Sequence, residues 1–124
     1  MTLRVLYVDD EADIRDIVEM SLSLDATIHV ETADSGAAAL LRARAGGLDL
    51  ILLDVMMPTL DGPATFAALR AEDTTAAVPV AFVTARTQSH EVAHFKALGA
   101  VGVIAKPFDP MTLARDVRAL VRSS

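Results

Sequence analysis

Short apolar runs alternate with amphipathic segments along the whole chain. Five of these runs are predicted to be strands: LRVLYV (3–8), TIHVET (27–32), DLILL (49–53), VPVAFV (78–83) and VGVIA (101–105). Most of them are rich in Val, Ile and Leu and nearly continuous, which is typical of strands that are buried on both faces of a parallel sheet.

The segments between the strands have the periodicity and the end signals of helices. We predict helices at 11–24, 35–45, 63–71, 88–98 and 110–122. Ser35 is the expected N-cap of the second helix, and glycines end the second and the fourth. For the last helix we expect Asp109 as the N-cap and Pro110 at the first helical position.

Five strand–helix units in succession indicate an α/β fold. They predict a doubly wound, three-layer (βα)5 sandwich, in which helices cover both faces of a five-stranded parallel sheet. At 124 residues the chain is long enough for one core, and no linker interrupts the pattern. We therefore expect a single domain over residues 1–124.

Composition narrows the function classes. The net charge is −6, and residues 1–62 carry 12 acidic against 4 basic side chains. Such a chain is a poor candidate for binding nucleic acid by itself, and the acidic half indicates either a cation site or plain solubility. No apolar run approaches the length of a membrane span. The absence of cysteine fits a cytoplasmic protein.

Polar side chains follow four of the five predicted strands. Asp9 and Asp10 follow the first, Asp54 the third, Thr84 the fourth and Lys106 the fifth. The carboxyl ends of parallel strands meet at one edge of the sheet, so these groups should converge there. Each residue alone could be a helix cap, a turn residue or a surface cation. Their convergence favours a functional site.

Phosphoryl transfer to a carboxylate suits this set of groups. An ionised aspartate is already a nucleophile, but it repels an incoming phosphoryl group. A hard divalent cation held by carboxylate and carbonyl oxygens relieves that repulsion, and an ammonium group helps. A phosphorylated aspartate would then carry extra negative charge that could draw in a nearby hydroxyl.

The chain resembles the receiver domain of two-component response regulators over essentially its whole length. The matching motifs are VDDE (8–11), DVMMPTLDG (54–62), the pair Thr84-Ala85, and KPF (106–108). The resemblance implies a flavodoxin-like sheet with strand order 2-1-3-4-5. It also implies a switch that is phosphorylated by a sensor histidine kinase or a histidine phosphotransfer protein, and that controls a downstream protein as a monomer or weak dimer.

The resemblance also assigns roles to residues. Asp54 would be the phosphoacceptor, and Thr84 and Lys106 would bind phosphoryl oxygens. Mg²⁺ would be held directly by Asp10, Asp54 and the backbone carbonyl of Met56. Asp9 would help to hold the ion through a water molecule. The Lys106-Pro107 bond would be cis. The apolar side chains expected to meet the phosphohistidine partner are Ile14, Met20 and Phe108, although Ile14 and Phe108 are equally compatible with the core.

Val103 departs from the family pattern. Receivers commonly carry Tyr or Phe three residues before the lysine, and Tyr7, the chain's only tyrosine, lies within the first strand. Val103 is too short and too stiff to swing between solvent and interior, so we expect weaker coupling between Asp54 and the 88–122 face. A degenerate receiver that binds partners without phosphorylation stays open as an alternative. A stand-alone receiver is favoured over a piece of a longer regulator.

Other enzyme classes fit less well. His90-Glu91-Val92-Ala93-His94 matches the zinc-protease motif H-E-x-x-H, but no suitable third ligand follows it, and we expect both imidazoles on the surface of the fourth helix. The turn after the first strand, DDEAD, would repel a dinucleotide. An aspartate-nucleophile phosphatase would usually need a second acid at position 56, where the chain has Met56.

Overall fold

The computed structural model of the chain describes residues 2–123. Five parallel strands form one sheet in the order β2-β1-β3-β4-β5. Their bounds are β1 Leu3–Val8, β2 Ile28–Ala33, β3 Leu50–Asp54, β4 Val80–Thr84 and β5 Gly102–Ala105. The flavodoxin-like fold and its strand order are therefore confirmed, with the second strand at the rim. The limits of the predicted domain, Met1 and Ser124, lie outside the described residues.

Helices alternate with the strands. They are α1 Ala12–Ser23, α2 Gly36–Arg44, α3 Gly62–Ala71, α4 Ser89–Leu98 and α5 Leu113–Ser123. The predicted cap of α2 is confirmed, because Ser35 Oγ accepts a hydrogen bond from the Ala38 N–H at 3.1 Å. Asp61 caps α3 in the same way through Ala64. These two caps fix where α2 and α3 begin after the carboxyl ends of β2 and β3.

The sheet is buried between two apolar layers. Every residue of β3 and β4 is buried, as nearly continuous apolar strands require. One buried cluster includes Leu53, Phe66 and Phe82, and the other includes Tyr7 and Val83. Alternate residues of a strand point to opposite faces, so each strand contributes to both layers. This packing makes the sheet a rigid frame for the groups at its carboxyl edge.

The start of the last helix differs from the prediction. Helix α5 begins at Leu113, and residues 110–112 form a turn instead. Asp109 does not cap α5; its carboxylate accepts from the Met111 N–H at 2.9 Å, and its carbonyl accepts from the Thr112 N–H at 3.1 Å. Asp109 and Pro110 therefore shape a preceding turn, a local structure that such a pair also favours.

An ion pair ties α5 to the segment after α1. Arg118 Nε lies 2.8 Å from Asp25 Oδ2, and Thr27 donates to the same carboxylate through its hydroxyl and its backbone N–H. These bonds, first from the Thr27 hydroxyl and then from Arg118, lower the pKa of Asp25 to about 2. Hydrogen bonds to the charged form of a carboxylate have this effect.

The lowered pKa of Asp25 predicts a pH-dependent contribution to stability. A depressed carboxyl pKa stabilises the folded state fully above the ordinary value of 3.8, and this stabilisation is lost as the pH falls toward about 2. We expect Asp25→Asn to unfold at a lower urea concentration than wild type at pH 7, and the difference to narrow between pH 4 and pH 2. Asp73→Asn, which removes an exposed carboxylate from the loop between α3 and β4, is the control and should shift the midpoint little. A difference that stays constant down to pH 2 would contradict the assignment.

Candidate phosphorylation site at the carboxyl edge of the sheet

Three carboxylates meet at the carboxyl edge of the sheet. Asp9 and Asp10 follow β1, and Asp54 ends β3, the strand beside it. One oxygen from each lies within 4.8 Å of the others. Asp9 and Asp54 are buried, whereas Asp10 is exposed. Within residues 2–123 no other set of three His, Asp or Glu side chains is gathered closely enough to hold a metal ion.

Lys106 supplies a positive charge between two of these carboxylates. Its Nζ lies 2.9 Å from Asp9 Oδ2 and 3.2 Å from Asp54 Oδ1. Burial alone would lower the pKa of Lys106, but the hydrogen bond to Asp9 and the charges of Asp54 and Asp9 raise it above its ordinary value. Lys106 is therefore a fixed cation at neutral pH. The Lys106-Pro107 peptide bond is cis, as the resemblance implied.

Asp54 experiences opposing influences. Burial and then repulsion from Asp9 raise the pKa of Asp54, while Lys106 and a backbone hydrogen bond from Met56 lower it, and the net direction is upward. The raised pKa values of Asp54 and of Lys106 are compatible, because Asp54 loses more stabilisation from water than the ammonium returns. A positive ion added among the three carboxylates would favour the ionised form of Asp54.

Asp9 is surrounded by hydrogen-bond donors. Its Oδ1 accepts from the Glu11 N–H at 3.0 Å, and its Oδ2 accepts from the Tyr7 hydroxyl at 2.7 Å as well as from Lys106. The Arg15 guanidinium also donates to the backbone carbonyl of Asp9 at 2.8 Å. These donors compensate for the complete burial of a charged group, which would otherwise be costly.

Thr84 lies at the end of β4, next to β3. Its side chain is buried, and its Oγ1 accepts a hydrogen bond from the Arg86 N–H at 3.0 Å. That contact leaves the hydroxyl's own hydrogen available for another acceptor. The Thr84 carbonyl accepts from the Lys106 N–H at 2.8 Å, which fixes the backbone of these two residues relative to each other.

The loop after Asp54 returns closely over the end of β3. The Gly62 N–H donates to the Val55 carbonyl at 3.1 Å. A Cβ atom at Gly62 would lie 2.5 Å from the Asp54 carbonyl oxygen, so only glycine fits without a shift of the backbone. Met56, in this loop, has a largely exposed side chain. The role of its carbonyl as a metal ligand stays a prediction.

The sequence analysis gave no role to two of the donors around Asp9, Tyr7 and Arg15. Tyr7 was predicted to lie inside β1, without a role in the site. Residues two apart on a strand point to the same face, so strand periodicity alone indicates that the side chains of Tyr7 and Asp9 lie close together. The contact from Arg15 had no recognisable sequence signal. His90 and His94 are exposed on α4, as predicted. The exclusion of a zinc protease stays a prediction.

Comparison with known proteins identifies the family. A sequence model of the response regulator receiver domain matches residues 5–118. The chain belongs to the response regulator receiver domain family. It is therefore a receiver domain of a two-component system, and such systems signal through phosphorylation. The receiver domain is a regulatory fold rather than an enzyme family. Receiver domains bind Mg²⁺ at an acidic pocket, and the three carboxylates of this receiver are compatible with that property.

Individual relatives agree with this assignment. The chemotaxis response regulator CheY4 of Vibrio cholerae has 35% sequence identity to this receiver and a TM-score of 0.87, over 97% of this chain and 99% of that chain. The transcriptional regulatory protein PrrA of Mycobacterium tuberculosis is 40% identical over 119 residues, which are 96% of this chain and 50% of that protein. PrrA of Mycobacterium leprae matches equally. This receiver thus spans about half the length of the transcriptional regulators it matches.

The close approach at Gly62 predicts an effect that can be measured. In Gly62→Ala the new methyl group would meet backbone atoms of Asp54 and Val55, which cannot rotate away, so we expect a loss of roughly 1–3 kcal/mol in the free energy of unfolding. Gly102→Ala is the matched control, because its methyl group would meet only the end of the flexible Leu120 side chain. Urea unfolding measures both variants. Equal losses of unfolding free energy in the two variants would show that the backbone contact at Asp54 does not restrict position 62 to glycine.

Proposed function

We propose that the chain, over residues 1–124, is one receiver domain that accepts a phosphoryl group on Asp54 from a phosphohistidine of a sensor kinase or a histidine phosphotransfer protein. The phosphorylated receiver then controls a downstream protein through the surface formed by residues 84–122. One observation carries the proposal: the Lys106 ammonium lies between the carboxylates of Asp9 and Asp54, with Asp10 beside them.

The residues of the site fit a magnesium ion. Asp9, Asp10 and Asp54 offer carboxylate oxygens, and the Met56 carbonyl would add a backbone oxygen; oxygen donors are the ligands that Mg²⁺ prefers. Three carboxylates against one ammonium also leave a negative balance that a divalent cation offsets. Bound Mg²⁺ supplies positive charge that reduces the repulsion between the carboxylates and an incoming phosphoryl group.

The transfer step follows from the groups in place. A carboxylate oxygen of Asp54 attacks phosphorus, the phosphorus–nitrogen bond of the phosphohistidine breaks, and its electron pair remains on the imidazole nitrogen. Asp54 needs no general base, because its ionised form is the nucleophile. Lys106 already lies 3.2 Å from Asp54 Oδ1, so its ammonium is placed to stabilise the phosphoryl oxygens as charge develops.

The output begins at Thr84. The new phosphoryl oxygens would attract the Thr84 hydroxyl, which now accepts from the Arg86 N–H. Movement of Thr84 would break that hydrogen bond and release the exposed segment 85–88, which leads into α4. A local change of charge would thus alter the surface that a partner contacts.

Helix α1 and the segment after β5 offer a surface for the phosphohistidine partner. An open, mostly apolar groove of about 370 Å³ beside Lys106 is lined by Ile14, Ile17 and Phe108. Ile14 and Phe108 are half-buried and pack against the core, and their exposed parts are available to a partner. Met20 is 72% exposed on the same helix. Burying such side chains is a common source of affinity at an interface.

Phosphorylation of Asp54 can be tested by intact mass. We expect wild type incubated with acetyl phosphate and Mg²⁺ to gain the mass of one phosphoryl group, and Asp54→Asn to gain none, because an amide is not a nucleophile here. Removal of Mg²⁺ should suppress the gain in wild type. Asp73→Asn, which lacks an exposed carboxylate outside the site, is the control and should behave as wild type. An unchanged wild-type mass with acetyl phosphate, phosphoramidate and a cognate kinase would favour the degenerate receiver instead.

Partner docking can be tested separately from the chemistry. We expect Met20→Glu to slow transfer from the kinase by roughly tenfold, because a charge would be placed within an apolar contact, and to leave phosphorylation by acetyl phosphate unchanged. Leu41→Glu is the matched control: Leu41 is 70% exposed but lies on α2, away from the groove. If both variants lose transfer equally, or if Met20→Glu also loses reaction with acetyl phosphate, the docking surface is wrongly placed.

The remaining predictions concern surroundings of the receiver. No helix within residues 2–123 is long and apolar enough to cross a membrane. The cytoplasmic location, the state of monomer or weak dimer, and the lack of direct contact with nucleic acid stay predictions. The names of the transcriptional relatives do not decide the last point, because this chain covers only half of their length.

A further inference from the structure

Tyr7 is a buried polar group at the site that the proposed function does not use. Its side chain is 1% exposed, and its hydroxyl lies 2.7 Å from Asp9 Oδ2. Strand pairing with Thr32 on one side and Leu52 on the other fixes its backbone, and its ring belongs to the buried cluster under α1 and α5. The hydroxyl therefore cannot move far from Asp9.

The hydroxyl donates at every physiological pH. A tyrosine phenol is ordinarily protonated below about pH 10. A neutral phenol has one hydrogen to donate, and Asp9 Oδ2 receives it.

The same oxygen of Asp9 also receives the Lys106 ammonium. Lys106 Nζ lies 2.9 Å from Asp9 Oδ2 and 3.2 Å from Asp54 Oδ1, so it is shared between the two carboxylates. A donor on Oδ2 stabilises part of the negative charge of Asp9 and weakens the attraction of that oxygen for any cation. The position of the ammonium thus depends on how much of the Asp9 charge is already satisfied.

We propose that Tyr7 is a positioning residue of the phosphorylation site: its hydroxyl competes for Asp9 Oδ2, so that the Lys106 ammonium stays shared with Asp54 and a divalent cation is held less tightly. This inference rests on the proposed function of Asp54. The inference predicts that loss of the Tyr7 hydroxyl has opposite effects on the affinity for the cation and on the rate of phosphorylation. Asp9 should attract the divalent cation more strongly, and it should also draw Lys106 away from the atom that accepts the phosphoryl group.

The test is Tyr7→Phe, which keeps the ring and removes only the hydroxyl. We expect Mg²⁺, measured by calorimetry without any phosphoryl donor, to bind about fivefold more tightly, a factor within the range expected for the net effect of one ordinary hydrogen bond. At saturating Mg²⁺ we expect the rate of phosphorylation by acetyl phosphate to fall by a similar factor. A merely structural role would lower the cation affinity and the rate together.

Thr75→Val is the matched control. The Thr75 hydroxyl is buried and donates to the Leu69 carbonyl at 2.6 Å, so this variant also loses one buried hydroxyl, but in the loop between α3 and β4. It should match wild type in Mg²⁺ affinity and in rate, and urea unfolding of both variants measures their stability. Unchanged or weaker Mg²⁺ binding in Tyr7→Phe, or an unchanged rate, overturns the role of Tyr7 alone. Wild type that binds no Mg²⁺ overturns the proposed function, and this inference with it.

Discussion

The site depends on one compensated repulsion. Three carboxylates lie within 4.8 Å of one another, and two of them are buried, an arrangement that would be strongly unfavourable without a positive charge. Lys106 supplies that charge. It directly follows β5, which forms the edge of the sheet opposite β2. The long Lys106 side chain reaches Asp54 at the end of β3 and Asp9 after β1, because only β4 separates β5 from β3, and β1 is the next strand beyond β3. The remaining negative balance is what makes the site suitable for a divalent cation.

The rest of the fold keeps these groups in register. Asp54 pairs with Val83 across β3 and β4, and Thr84 pairs with Ala105 across β4 and β5, so a shift of one residue in either strand would remove a side chain from the site. The cluster of buried side chains on each face resists such a shift, since it would disrupt the close packing of that cluster. The strand register that stabilises the sheet is therefore also the register that brings the side chains of the site together.

The sequence allowed much of this to be predicted, because burial on both faces leaves a strong apolar signal. Strand β1 was predicted at its observed bounds, and Ser35 was recognised as a cap from its position before α2. Asp109 was assigned wrongly because a cap and a turn use the same side chain, and only the path of the chain to Leu113 distinguishes them. The contact between Tyr7 and Asp9 was accessible from strand periodicity, but the sharing of one oxygen with Lys106 depends on a residue 97 positions away.

Val103 occupies the position at which receivers commonly carry an aromatic residue. Val103 pairs with Phe82 on β4, and the Phe82 ring lies 4.7 Å from that of Phe95 on α4. Aromatic side chains are thus present beside the fifth strand, but Phe82 is completely buried and cannot exchange between solvent and interior as a surface ring could. The element that remains is the exposed segment 85–88, held to Thr84 by the hydrogen bond from the Arg86 N–H. A phosphoryl group that draws the Thr84 hydroxyl away from Arg86 would act first on this segment, and α4 would respond through its N-terminus.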